Sequence, residues 1–154
     1  MNNDLASSWK NLQSAIGEKI NKRESWTKEK KEFIKKTLND IMNEYEINGE
    51  VHVLEEITNL EQVVFQLPND ENYSIKNDNE KEVVSYFDGV LSFSQKLNGD
   101  IEINCSYPFI ENLMEEQDAV SISLIDPRSI TKNLIEDWFV KFLNLMVEWE
   151  KDSN

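Results

Sequence analysis

The sequence predicts an α+β fold: two N-terminal helices, an antiparallel sheet of about four to five strands, and a long C-terminal helix packed on the sheet. Three observations predict it. Apolar residues recur every three or four positions within residues 1–47, alternate with polar ones across residues 50–125, and return to helical spacing over residues 127–150. At 154 residues the chain has the length of one domain, and neither a repeat nor a Gly/Pro-rich linker divides it.

The first helix is expected over residues 4–20, with Asp4 as its N-cap and Trp9, Leu12, Ile16 and Ile20 on one face. Asn21-Lys22-Arg23-Glu24 reads as a polar turn. A second helix is expected from Ser25 or Thr27, with Phe33, Ile34, Leu38, Ile41, Met42 and Tyr45 as its apolar stripe and Asn48-Gly49 as its stop. Lys28 and Glu32 are spaced for an ion pair on that helix.

Strands follow. Val51 and Val53 alternate with His52 and Leu54, and a second strand spans residues 62–67 before Pro68. Residues 69–81 read as a polar loop with room for a short strand at residues 73–75. The sharpest motif is a hairpin around Asn98-Gly99. A two-residue turn would set apolar residues against polar ones along the ladder. A three-residue loop, Leu97-Asn98-Gly99 with Gly99 at positive φ, pairs Lys96 with Asp100, Phe93 with Ile103 and Leu91 with Cys105, so the side-chain pattern selects it.

A short amphipathic helical turn is expected near residues 109–116, and a last strand carries Val120, Ile122 and Leu124 on one face. Asp126-Pro127 pairs an N-cap residue with proline at the first helical position. The C-terminal helix has a wide apolar arc, including Trp138, Phe139, Phe142 and Trp149. The expected arrangement puts the sheet on one side of it and the N-terminal helices on the other.

Charge separates the chain into two parts. Net charge is −14. Residues 1–46 sum to +1 and residues 47–154 to −15, and eight of the basic residues fall between Lys19 and Lys36. That field opposes nucleic acid and anionic lipid and attracts a basic partner. The start of the sequence lacks the charged-then-apolar pattern of a leader, and no apolar run nears the ~20 residues that span a bilayer, so a cytoplasmic location is expected.

No catalytic constellation is legible. His52 is the one histidine, and Cys105, the one cysteine, lies on the apolar side of its strand. The zinc spacings, a phosphate-cradling glycine loop and a nucleophile elbow are all missing. No catalytic residue, cofactor or metal is therefore assigned. Asp88, before Gly89, is expected at a bulge that would re-aim its side chain.

The functional expectation is a non-catalytic acidic protein-binding module that inhibits a basic partner protein, as immunity proteins and antitoxins do. One alternative is a small acidic chaperone or assembly factor that docks through apolar surface, which would also permit a homodimer. The other is an enzyme using carboxylates and His52. The expected partner-binding residues are Glu55, Glu56, Asp88, Glu102, Glu115, Glu116, Asp118, Trp138 and Trp149.

Overall fold

A computed structural model describes residues 2–68, 73–76 and 81–152. Its architecture is α+β, with two helical segments, an antiparallel sheet and a C-terminal helix.

The two N-terminal helices are one rod. α1 (Asn3–Ser25) passes through a π-helical turn (Trp26–Lys30) into α2 (Lys31–Tyr45). The turn expected at residues 21–24 is absent because Asn21, Lys22, Arg23 and Glu24 are tolerated in a helix and none is Gly or Pro. The extra residue of the π turn rotates the following face by roughly 100°. It therefore breaks the line between the stripe of α1 and the stripe of α2. It also shifts the neighbours of Lys28, whose ammonium lies 3.8 Å from Glu24 rather than beside Glu32. Asn2, not Asp4, caps α1: its Oδ1 accepts from the amides of Asp4 and Leu5. Glu46, in the left-handed region at φ 54°, ends α2 before Asn48-Gly49 is reached.

Five strands form the main antiparallel sheet: β1 (Glu50–Leu54), β2 (Gln62–Gln66), β6 (Val90–Gln95), β7 (Ile101–Ser106) and β9 (Val120–Ile125), in the order β1-β2-β6-β7-β9. Two small pairs lie outside it: β3 (Tyr73–Lys76) with β4 (Lys81–Val84), and β5 (Tyr86–Phe87) with β8 (Phe109–Ile110). The expected loop over 69–81 thus contains a strand and the start of another; its remaining residues, 69–72 and 77–80, lie outside the described residues.

The β6–β7 hairpin has the register its side chains demand. Leu91 faces Cys105, Phe93 faces Ile103, Lys96 N donates to Asp100 O at 2.8 Å, and Gly99 has φ 92°. Two other expectations need correction. Phe109-Ile110 pairs with Tyr86-Phe87 instead of opening a helical turn, because stacking of Phe87 on Phe109 at 5.9 Å supports a strand pair; the chain turns only after Ile110. Ile122 falls at a β-bulge in β9, so Ile125 rather than Leu124 reaches the core-side row opposite Ile101. Leu124 is left 58% exposed. This is the bulge of the main sheet; Asp88 instead sits where the chain crosses from β5 to β6.

One face of the sheet supplies Val63, Phe65, Leu91, Phe93, Ile101, Ile103 and Cys105 to the core. α2 lies over β1 and β2, and α3 (Lys132–Asp152) lies beside it over β7. α3 is therefore flanked by α2, not sandwiched beneath it, and Val140 and Val147 on its outer side are exposed. Phe139 and Phe142 meet Phe65 at ring centroid distances of 4.8 and 6.1 Å, and Trp138 meets Phe93 at 6.0 Å.

Asp126-Pro127 starts a 3-10 turn, Pro127–Ser129, rather than α3. Ile130 then extends to bury its side chain, which interrupts the helix, and Thr131 becomes the cap of α3 by accepting from Leu134 N. Among the described residues, no helix is long and apolar enough to cross a membrane.

Candidate functional site

The basic stretch is largely committed inside the molecule. Lys22 pairs with Asp100 at 2.9 Å, and Lys31 with Glu55 at 2.9 Å and Glu61 at 3.1 Å. Lys30 Nζ donates to Ile130 O and Arg23 Nη2 to Leu97 O, so the rod is tied to the segment that precedes α3 and to the β6–β7 hairpin. Burial works against the Lys31 ammonium, and its hydrogen bonds to Glu55 and Glu61 outweigh that and raise its pKa. Arg128, on the 3-10 turn, bridges Asp126 and Glu18 and holds both carboxyls below their ordinary range, chiefly by hydrogen bonding.

The expected partner-binding residues separate into five places. Glu55 and Glu56 are exposed after β1, and Glu55 is already taken by Lys31. Glu102 projects from β7 on the face opposite the core, where the Asn104 amide donates to it at 2.8 Å and lowers its pKa, with Lys96 adding to the effect. Trp138 is 7% exposed and belongs to the core. Asp88 is buried at a cleft of about 660 Å³ lined also by Leu67, Tyr86, Gly89, Met146, Val147, Glu150 and Lys151.

Glu115, Glu116 and Asp118 lie exposed on the loop from β8 to β9. The fold brings the first of them to Trp149. A cleft of about 420 Å³ is lined by Tyr107, Met114, Glu115, Gln117, Leu145, Glu148, Trp149 and Asp152. Its walls are aromatic and aliphatic, three of its lining residues are carboxylates, and none is basic. Glu148 and Asp152 are four apart on α3, so they share the helix side that also presents Leu145 and Trp149 to the loop. Sequence reading chose Glu115 and Trp149 separately. It missed Tyr107, which follows β7, and Glu148 and Asp152, whose only local signal was their four-residue spacing beside Trp149 on α3.

The chemistry-bearing side chains are elsewhere. His52 is exposed on β1, with Nε2 3.0 Å from Glu50. Cys105 is buried, and burial pushes its thiol up to about 12. Among the described residues, no three His, Cys, Asp or Glu side chains are grouped to hold a metal ion.

Comparison with known protein families, characterised proteins and solved structures finds no match.

Proposed function

We propose that the chain is a non-catalytic, acidic protein-binding module that captures a basic partner, in the manner of an immunity-type inhibitor. The observation that carries this reading is the cleft between the β8–β9 loop and the C-terminal half of α3. Trp149 and Tyr107 offer aromatic faces, and Glu115, Glu148 and Asp152 offer carboxylates around them. That combination suits an arginine or lysine side chain: the stem packs on the rings, the cation meets their π faces, and the carboxylates pair with its charge. Because Lys22, Lys31 and Arg128 are spent on internal partners, they leave the loop acids Glu115, Glu116 and Asp118 unanswered by those cations. The surrounding field would speed encounter with a basic surface, and the aromatic cleft would supply an anchor.

Titration with a short arginine-containing peptide tests this, followed through the indole resonance of Trp149. Binding is expected to weaken with salt, to fall about tenfold in Glu115→Gln/Glu148→Gln, and to be lost in Trp149→Ala. Equal affinity of the wild type and these variants for the peptide, or an unmoved Trp149 resonance, would remove the reading.

A further inference from the structure

The N-terminal half of α1 is a projecting helix with an uncovered apolar seam. Every residue from Asn3 to Ile16 is exposed, and among the described residues the first ion pair along the helix to the body is that of Glu18 with Arg128. At 1.5 Å per residue this free segment is about 20 Å long. Leu5, Trp9, Leu12 and Ile16 follow one another at spacings of four, three and four, and with Ile20 they are 41–69% exposed. That spacing is the a/d seam of a coiled coil. An isolated helix of this length is marginal in water, and none of its residues is buried against the described part of the body.

We propose that this seam pairs antiparallel with the same seam of a second copy of the chain. Three features select that occupant. First, the seam is self-complementary. With Leu5 opposite Ile16 and Trp9 opposite Leu12, a two-fold axis places the four side chains in four a–d layers, and no residue must face itself. Second, the flanking positions Ala6, Ser8, Gln13 and Ala15 carry no charge, so the edges neither repel an identical helix nor select a differently charged one. Third, the acidic bodies dictate direction. Residues 1–16 carry only Asp4 and Lys10 and are neutral in sum, so a parallel pair would put two bodies that each hold the chain's net charge of −14 at the same end. The antiparallel pair separates the two Glu18 positions by about 22 Å along the axis, more than two Debye lengths of roughly 8 Å at physiological salt.

The contact is small. Four seam residues per copy fall short of the roughly 800 Å² per partner of a standard interface, so the dimer forms and dissociates with concentration.

Sedimentation velocity of the full chain over a concentration series is the test. The wild type is expected to shift from monomer to dimer, while Trp9→Glu and Leu12→Glu stay monomeric with unchanged urea midpoints, since both sites are free of the body. Direction is read by spin-label distances on variants with one added cysteine; native Cys105 is buried and does not compete for label. Labels at Ser7→Cys should lie about 10 Å apart along the axis and those at Asn21→Cys about 30 Å apart, whereas a parallel pair brings both sets close. A wild type that is monomeric throughout, a Trp9→Glu variant that dimerises normally, or two short label distances each overturn the proposal. So does protection of the stripe only when a different protein is added, which would assign it to a heterologous helix. Peptide binding at the Trp149 cleft is measured on monomeric Trp9→Glu, so the two readings fail separately.

Discussion

Trp26 sits at the one irregular turn of the rod, and its environment shows why that turn is there. The side chain is fully buried, and its Nε1 donates to Glu61 Oε1 at 3.1 Å. Glu61 also accepts from Lys31, and its own amide donates to Gln95 Oε1 at 2.9 Å. One indole therefore joins the helix to the start of β2 and the end of β6. Trp26→Ala should cost about 3–5 kcal/mol from the cavity and lost contacts. Trp26→Phe should cost less, because Glu61 keeps its Lys31 partner and is not left unsatisfied. Urea unfolding followed by far-UV circular dichroism measures both; equal losses would mean that the hydrogen bond, not the volume, dominates. None of this was legible locally. In sequence, Trp26 is a lone aromatic among lysines and glutamates. Its burial depends on a π turn that no residue type specifies, and on Glu61, which lies 35 positions away.

Where an element is fixed by its own alternation, the sequence was sufficient. The β6–β7 loop was decided by which side chains must face each other, and Gly99 has the positive φ which that solution requires. Elements fixed by their neighbours were not readable: the continuity of the rod, the two-residue β5–β8 pair, and the bulge that exchanges Leu124 for Ile125. Gly99 also belongs to a second element, since a Cβ there would stand 2.8 Å from Lys22 Cβ and 3.1 Å from Lys19 O. The hairpin tip thus rests against α1, where Lys22 pairs with Asp100. Gly17, on the same helix, has nothing within 4 Å of its Cβ position. The same substitution should therefore act with opposite sign at the two sites. Gly99→Ala should destabilise by about 1–2 kcal/mol from backbone strain alone, with the Lys22 clash added. Gly17→Ala should stabilise by roughly 0.5–1 kcal/mol through helix propensity. Denaturant midpoints decide it, and a Gly99→Ala variant as stable as the wild type would show that neither the positive φ nor the Lys22 contact constrains the hairpin tip.

Across the whole molecule, the distribution of charge makes salt act in three distinguishable ways. Raising ionic strength from 0.01 to 0.15 M shortens the Debye length from about 30 to about 8 Å. The internal pairs Lys22–Asp100 and Lys31–Glu61 are less than a fifth exposed and short, so they are screened little. The unanswered acids of the loops and α3 are exposed, and their mutual repulsion is screened strongly. The free protein should therefore melt higher at 0.15 M, by about 2–4 °C for each kcal/mol of repulsion removed. Self-association through α1 should also strengthen, because the seam is apolar and uncharged while the two bodies repel. Binding of a basic peptide at the Trp149 cleft should weaken over the same range, since its attraction is Coulombic. Thermal melts, sedimentation and peptide titration at the two salt concentrations separate the three responses. If dimerisation and peptide binding both weakened with salt, the α1 contact would be electrostatic, and a seam of Leu5, Trp9, Leu12 and Ile16 would not describe it.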